Sequence, residues 1–396
     1  MKPGWQDVPR TVLVLSAVSL FNDMASEMVV PLIPVLLASV LAAGPLVLGL
    51  IEGSADAVAA VLKLWSGRYS DKLGGQRKGL AMAGYILSNV VRPLIGLAGS
   101  WPILLVLRSL DRVGKGLRSA PRDALIVDAT PPAIRGLAFG LHRAFDNMGA
   151  VGGSLVAALA LLGGLSLTQV IAWSAVPGMM AVMLLVVGVK QRRLSVVKSA
   201  SIVEPLLHWR SLQPILRRYL WVLAVFTFAR ASETFIVLRG HELGMSVVEL
   251  LVLWALLNLA KAMTSIYGGK LADKYGRLTV ILIAWAGFGE SFMLLAHVQH
   301  ASELWWMTAL YGALIGMTEG PERAMIGDFA RVDQRGSAYG WYYAMTGLAA
   351  VPSGLLFGWL WQSSGAGTAF TYAGYLAMAV TLMGYFWIIR PQRDMK

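Results

Sequence analysis

The chain contains no cysteine, which excludes disulfide bonds, thiolate catalysis and cysteine-ligated metals. Charged residues are also scarce, because they make up 14% of the 396 residues, against about a quarter in an ordinary soluble domain. The sequence has no phosphate-binding loop, nucleophile elbow or HExxH motif, and its histidines show no metal-ligand spacing. It therefore predicts no enzyme activity, no cofactor and no metal site.

Hydrophobic residues dominate the composition, at 57% of the chain, and the mean hydropathy is +0.63. Apolar stretches of about 20 residues recur, and each is long enough to cross ~30 Å of hydrocarbon as a helix. This pattern predicts an all-α integral membrane protein with about twelve transmembrane helices. The predicted spans, numbered helix 1 to helix 12, are 11–39, 46–66, 79–98, 102–127, 137–162, 167–189, 219–239, 246–268, 279–296, 304–326, 338–361 and 369–389.

The net charge of +12 has two possible explanations, nucleic-acid binding or orientation in a membrane. Lys and Arg concentrate in alternate loops, such as 68–78, 190–218 and 270–277, and are nearly absent from the loops between them. This positive-inside pattern places both termini and the basic loops in the cytoplasm. We therefore expect a multi-pass protein of a bacterial cytoplasmic (inner) membrane, which contacts the lipid bilayer and binds no nucleic acid.

An internal repeat divides the chain into two related parts. Residues 116–144 align without a gap on residues 316–344, and Ala25-Ser26-Glu27 recurs as Ala231-Ser232-Glu233. The repeat predicts two parallel six-helix halves, 1–189 and 219–396, joined by a cytoplasmic linker at 190–218. Parallel halves imply a pseudo-two-fold axis along the membrane normal, with a central cavity between them.

The loop after helix 2 carries a motif that is repeated after helix 8. Its residues are Gly67, Asp71, Lys72, Gly74 and Arg77 in the first copy and Gly269, Asp273, Lys274, Gly276 and Arg277 in the second. Both copies resemble the gating motif of the major facilitator superfamily, although Gly75 and Gln76 displace the basic residues of the first copy by one position. The resemblance implies a secondary transporter that works by alternating access, and it leaves the substrate open.

Spaced glycines on predicted helix 5 bear on the direction of transport. Gly140, Gly149 and Gly153 follow the spacing of an antiporter motif of the same superfamily, but Ser154 stands where that motif has proline. The spacing favours an exporter, and the departure at Ser154 weakens that expectation. The alternative is that these glycines allow close helix packing, which membranes favour in any transporter.

Ionisable side chains at membrane depth are costly unless they face a cavity or a partner, so each is a functional candidate. Helix 4 has the densest set, in which Arg108, Asp111, Arg112, Lys115, Arg118 and Arg122 share an arc of roughly 120°. The candidates for proton coupling or solute binding are Asp23, Glu27, Glu52, Asp56, Arg92, Arg108, Asp111, Arg112, Arg230 and Glu233. The alternative role for these residues is a structural ion-pair network.

These observations predict a proton-coupled secondary transporter that moves a small organic solute and functions as a monomer. The excess of guanidinium groups favours an anionic or zwitterionic solute, because guanidinium matches carboxylate and phosphate groups. The alternative hypothesis is a membrane receptor or accessory protein that retains the transporter fold without transport.

Overall fold

The structure is a computed structural model of the chain, and it describes residues 8–72, 77–131, 135–189, 209–230, 232–330 and 335–389. The described residues form helices and connecting turns, without a strand. Ten of the helices are long and apolar enough to cross a membrane. Helix 4 (Trp101–Ala129) and helix 10 (Ala301–Phe329) are as long but less apolar. Together they confirm the predicted all-α fold of twelve membrane helices.

The other helices lie close to their predicted spans. They are helix 1 (Arg10–Glu27), helix 2 (Pro45–Lys72), helix 3 (Arg77–Leu94), helix 5 (Arg135–Leu162), helix 6 (Leu167–Trp173 and Ala175–Gly188), helix 7 (Pro214–Ala229 and Thr234–Glu242), helix 8 (Val247–Tyr275), helix 9 (Arg277–Leu295), helix 11 (Arg335–Ser364) and helix 12 (Ala366–Gly384). Helix 7 begins at Pro214, because proline is well suited to the first turn of a helix. The last residues of the predicted linker are therefore helical, and residues 190–208 of it lie outside the described residues.

Helix 1 changes its hydrogen-bonding pattern directly after Glu27. The α-helix gives way to a 3₁₀ turn at Val30–Leu32 and a π turn at Leu36–Val40. Pro31 and Pro34 lie in this segment, and each removes one backbone N–H from the α-helical ladder. The segment nevertheless continues the span, which runs over Arg10–Val40.

Helix 7 is interrupted at the repeated copy of the same Ala-Ser-Glu motif. Its first part ends at Ala229, and its second part starts at Thr234 with Glu233 at the N-cap position. Interrupted membrane helices expose backbone and side-chain polar groups at depth, where transporters hold ions and solutes. Both copies of the motif therefore lie at positions suited to a binding site.

The chain packs into two compact units, and the predicted division into halves at 189 and 219 stays a prediction. Unit 1 contains residues 1–36, 58–200 and 247–255, and unit 2 contains residues 37–57, 201–246 and 256–396. In unit 1, helices 1 and 5 pack backbone to backbone, because a Cβ atom at Gly149 or Gly153 would overlap helix 1 at Leu20 or Met24. This packing accounts for Gly149 and Gly153, whereas a Cβ atom at Gly140 would meet nothing within 4 Å, and the direction of transport stays a prediction.

The core of unit 2 is aromatic. Phe226 of helix 7 stacks on Trp285 of helix 9 with ring centroids 4.0 Å apart, and the rings of Phe288, Phe292 and Tyr311 extend the cluster. Each such ring pair adds about 0.5–1.5 kcal/mol beyond the burial of its area. Unit 2 is therefore held together by large rigid side chains.

Candidate functional site

The charged face of helix 4 lies inside unit 1. Arg108 and Asp111 are each 1% exposed, and Arg112 and Arg118 are also buried. Lys115, on the same face, is exposed. The helical period places all five on one side of the helix, and four of them are buried within unit 1.

Asp111 lies between two guanidinium groups. Nε of Arg92 donates to its Oδ1 over 3.0 Å, and Nη1 of Arg108 donates to its Oδ2 over 3.4 Å. Nη1 of Arg92 also donates to the backbone oxygen of Asn22 (3.2 Å) and to Oδ1 of Asn89 (2.9 Å). This network ties helices 1, 3 and 4 together. Removing one member would leave an uncompensated charge in the interior, so the intact network stabilises unit 1.

A second set of bonds continues this network along helix 4. Nη1 of Arg118 donates to Oγ of Ser88 (2.7 Å), and this hydroxyl donates to the backbone oxygen of Asp111 (2.8 Å). The guanidinium of Arg118 also lies 5.0 Å from the centre of the Tyr85 ring, in cation–π distance. Arg118 is thus held by a hydroxyl and an aromatic face.

The two acids of helix 1 are bonded in a different way. Oδ1 of Asp23 accepts a hydrogen bond from Nδ2 of Asn22 (3.1 Å), and Oε2 of Glu27 accepts one from Nε1 of Trp254 (2.6 Å). Both donors are neutral groups. Within the described part of the chain neither carboxylate forms an ion pair. Asp23 and Glu27 are one helical turn apart and so share a face of helix 1.

Unit 2 holds the remaining predicted acids. Glu233 of helix 7 accepts a hydrogen bond from Nζ of Lys261, and the two form an ion pair. Glu52 of helix 2 is buried, whereas Asp56, one turn further on, is exposed.

Arg230 pairs with an acid that the sequence argument missed. Its Nη1 lies 3.3 Å from Oε2 of Glu322, whose other carboxylate oxygen accepts a hydrogen bond from Nε1 of Trp285 over 2.8 Å. The repeat contains the signal for this pair, because Glu322 aligns with Arg122 of the helix 4 stripe. A charge at the repeat-equivalent position of helix 10 is therefore expected to face inward as well.

The loop motif builds the same clamp in both units. Arg77 pairs with Asp128 and donates from Nη1 to the backbone oxygen of Ala124 over 3.2 Å. Arg277 pairs with Asp328 and donates to the backbone oxygen of Ala324 over 3.4 Å. Each clamp joins the start of one helix to the end of the next, which fixes the basic ends of helices 3 and 4 and of helices 9 and 10.

The structure describes some of the other motif residues and not the side chains of the rest. Gly276 has a φ of +92°, a backbone conformation that favours glycine, and it forms the turn between helices 8 and 9. Nζ of Lys274 lies 5.0 Å from the ring centre of Tyr275. Gly67 and Gly269 lie in the last turns of helices 2 and 8. Asp71, Lys72, Gly74 and Asp273 lie outside the residues whose side chains the structure describes.

Metal binding has no structural candidate in the described ranges. No group of three or more His, Asp or Glu side chains in them is placed to hold a metal ion. The chemistry available at the site is ion pairing, hydrogen bonding and proton transfer between carboxylates and their donors.

These features define the class of protein, namely a polytopic helical membrane protein with related units, interrupted helices and charges at membrane depth. The sequence model of the Major Facilitator Superfamily matches residues 15–317 and 220–396, and the chain belongs to this superfamily. An uncharacterized MFS-type transporter of Methanocaldococcus jannaschii is 32% identical over 388 residues, which cover 96% of each chain. The protein is therefore a multi-pass membrane protein and a secondary transporter of small molecules.

Solved structures support the same fold. A D-xylose-proton symporter superimposes with a TM-score of 0.77 and 17% identity over 96% of this chain and 97% of the symporter. A human organic anion transporter superimposes with a TM-score of 0.68 and 18% identity over 95% of this chain and 99% of that protein. At these identities the likeness shows the fold and leaves the solute undetermined.

Proposed function

We propose that the protein couples transport of a small organic anion or zwitterion to proton movement through Asp23 and Glu27. One observation carries this proposal. The carboxylates of Asp23 and Glu27 are hydrogen-bonded by neutral donors, whereas those of Asp111, Glu233 and Glu322 are each bonded to a cation.

The distinction matters because a coupling acid has to gain and lose a proton in every cycle. Protonating an ion-paired acid in the interior leaves its cation uncompensated, at a cost of about 3–5 kcal/mol. Protonating Glu27 only weakens the hydrogen bond from Trp254, since a charged acceptor binds an N–H more strongly than a neutral one. Protonation of Glu27 can therefore release helix 8 from helix 1 without leaving a charge unpaired.

The solute would bind next to these acids. Lys115 is the exposed cation of the helix 4 stripe, and it acts electrostatically on both Asp23 and Glu27 together with other bases of helix 4. An ammonium group surrounded by further cations suits a carboxylate or phosphate group of a solute. Binding of a negatively charged solute at Lys115 would then be linked to protonation of Asp23 or Glu27, because Lys115 acts on both acids.

The setting of this mechanism is part of the proposal. The basic loops support cytoplasmic termini in a bacterial cytoplasmic membrane, and one chain contains all the proposed coupling residues, which supports function as a monomer. Alternating access would expose Asp23 and Glu27 to each side of the membrane in turn.

Proton flux in liposomes tests the proposal. The purified protein would be reconstituted around a trapped pH-sensitive dye and exposed to a panel of carboxylates, amino acids and organic phosphates, with neutral sugars as the comparison. We expect at least one charged compound to drive proton movement. Asp23→Asn and Glu27→Gln should abolish accumulation driven by a pH gradient while sparing solute exchange, which needs no net change in protonation.

Lys115→Ala separates the binding role from the coupling role. Loss of one charge-assisted contact should weaken solute binding by about 10- to 100-fold at unchanged thermal stability. Full gradient-driven transport by both acid variants would contradict the coupling role. Saturable binding of a compound that is never transported would instead support the receptor hypothesis.

A further inference from the structure

We propose that His142 and Asp146 of helix 5 conduct the proton between Asp23 and the cytoplasmic side, with His142 as the cytoplasmic relay. This inference rests on the proposed coupling role of Asp23 and Glu27. It adds two residues and a route to that role, and both residues belong to the same unit as the coupling acids.

The first observation is a pair of polar side chains that are buried without hydrogen bonds. His142 is 1% exposed and Asp146 is 8% exposed, and Nε2 of His142 lies 3.7 Å from Oδ1 of Asp146. Among the described residues, neither ring nitrogen of His142 nor this carboxylate oxygen has a hydrogen-bond partner. Roughly nine in ten buried polar atoms are hydrogen-bonded, so three such atoms at one place call for an explanation.

The second observation is their depth relative to the acids of helix 1. Gly149 packs against Leu20 and Gly153 packs against Met24, so helices 1 and 5 run in parallel with a defined register. The same register places Asp146 level with Ala17 of helix 1. Asp146 therefore lies about 9 Å along the axis from Asp23, toward the N-terminal ends of both helices.

His142 lies one further turn in the same direction, about 6 Å beyond Asp146 along the axis. The order from mid-membrane toward the predicted cytoplasmic ends is thus Glu27, Asp23, Asp146 and His142. Asp146 is also the acid that acts most strongly on Asp23, which agrees with its position as the next group in the series.

Charges of both signs surround His142. Arg122 and Asp123 of helix 4, Arg143 of its own helix and Asp23 of helix 1 act on it electrostatically, and Asp146 lies one turn away on helix 5. Nη1 of Arg143, which is largely exposed, lies 3.6 Å from the other oxygen of Asp146. Tyr85 of helix 3 adds a hydroxyl group near Asp23 and Asp146. The acids of this set favour a protonated imidazole and the bases oppose it.

A proton leaves the carboxyl group of Asp23, crosses the roughly 9 Å to Oδ1 of Asp146 through bridging waters, and then passes to Nε2 of His142. The proton on Nδ1 is released toward the cytoplasm, because imidazole accepts at one nitrogen and donates from the other. Each transfer leaves the imidazole in its other tautomer, and the starting form returns when the ring rotates or exchanges its proton with water. The gap of 3.7 Å is longer than a hydrogen bond and fits a bridging water or a small rotation of the ring.

A fast pH change at the cytoplasmic face tests the relay. Protein would be reconstituted with its cytoplasmic face outward, the external pH would be lowered rapidly, and tryptophan fluorescence would be followed. The signal of interest is that of Trp254, whose indole donates to Glu27, and the variant Trp254→Phe identifies it by difference. We expect His142→Gln and Asp146→Asn to slow this signal by about tenfold or more without changing its final amplitude.

His297→Gln is the matched control, because His297 is exposed beyond the end of helix 9 and should leave the rate unchanged. A wild-type rate in folded His142→Gln and Asp146→Asn would overturn the relay. If Glu27→Gln kept the full response, the coupling role of Glu27 would fail, and the relay with it. Loss of the response in Glu27→Gln together with an unchanged rate in both helix 5 variants would overturn the relay alone.

Discussion

Units 1 and 2 carry the same clamp and the same Ala-Ser-Glu motif but surround them with different chemistry. Arg77 and Asp128 in unit 1 are matched by Arg277 and Asp328 in unit 2, each with a backbone carbonyl as third partner. The motif glutamates differ in their partners, since Glu27 accepts from a neutral indole N–H and Glu233 from an ammonium group. A shared backbone framework therefore holds an acid bonded by a neutral donor in one unit and an ion-paired acid in the other.

The repeat also shows a position at which the two units carry charges of opposite sign. Arg122-Asp123 of helix 4 aligns with Glu322-Arg323 of helix 10, so the order of charge is inverted. In unit 1 the guanidinium of Arg122 reaches Ser19 of helix 1, and in unit 2 the carboxylate of Glu322 reaches Arg230 of helix 7. Equivalent positions thus connect equivalent helices in both units, while single residues decide the sign of the charge.

The largest expected effect is on the buried ion network of unit 1. Arg92→Leu should lower the free energy of unfolding by about 3–5 kcal/mol, because it removes the main partner of Asp111. Arg230→Leu should lower the free energy of unfolding by less. The Arg230 side chain is 28% exposed, against 2% for Arg92, and Glu322 would keep its hydrogen bond from Trp285. Thermal unfolding in detergent, followed by circular dichroism, measures both. Equal losses in the two variants would contradict this difference between the units.

A smaller effect is expected from deleting one polar atom from an aromatic residue. Trp285→Phe removes the N–H that Glu322 accepts and should cost about 1–3 kcal/mol. Tyr85→Phe is the matched change in unit 1, where the hydroxyl has no hydrogen-bond partner among the described residues, and it should be nearly neutral. The same unfolding measurement applies. A destabilised Tyr85→Phe variant beside an unaffected Trp285→Phe variant would reverse the comparison.

The motif glutamates should separate stability from coupling. Glu233→Gln leaves Lys261 without its anion and should lower the free energy of unfolding by about 1 kcal/mol. The effect is small because the pair is partly exposed. Glu27→Gln retains an acceptor for Trp254, so stability should stay near wild type while gradient-driven accumulation is lost. Unfolding and transport would be measured on the same preparations. Lost coupling in Glu233→Gln with normal coupling in Glu27→Gln would assign the proton to unit 2.

The smallest effect is expected at the clamps, where the two units should behave alike. Arg77→Ala and Arg277→Ala each remove a partly exposed ion pair, worth about 0–1 kcal/mol. Both should unfold within this margin of wild type, and added salt should reduce the difference further. A large loss in one variant and none in the other would show that the clamps are not equivalent.

The twelve spans, the repeat and the superfamily were all predictable from the order of the amino acids. Hydrophobic length, loop charge and spacing along one chain are local properties, and the bilayer imposes them on each helix separately. The same local reasoning placed the charged stripe of helix 4 inside the protein, because residues three and four apart share a face. The repeat also aligned Ala25-Ser26-Glu27 with Ala231-Ser232-Glu233. It did not predict the interruption of helix 7 at the second copy, because that segment contains no proline.

Which charged group pairs with which partner depends on how the helices pack. The bonds of Arg92 and Arg108 to Asp111, of Arg230 to Glu322 and of Trp254 to Glu27 depend on the rotation and register of helices that are distant in sequence. A shift of one residue turns a helical side chain by about 100°, which is enough to replace one partner by another. For this reason the sequence supplied a set of equivalent candidate acids, and packing distinguished those held by neutral donors from those paired with cations.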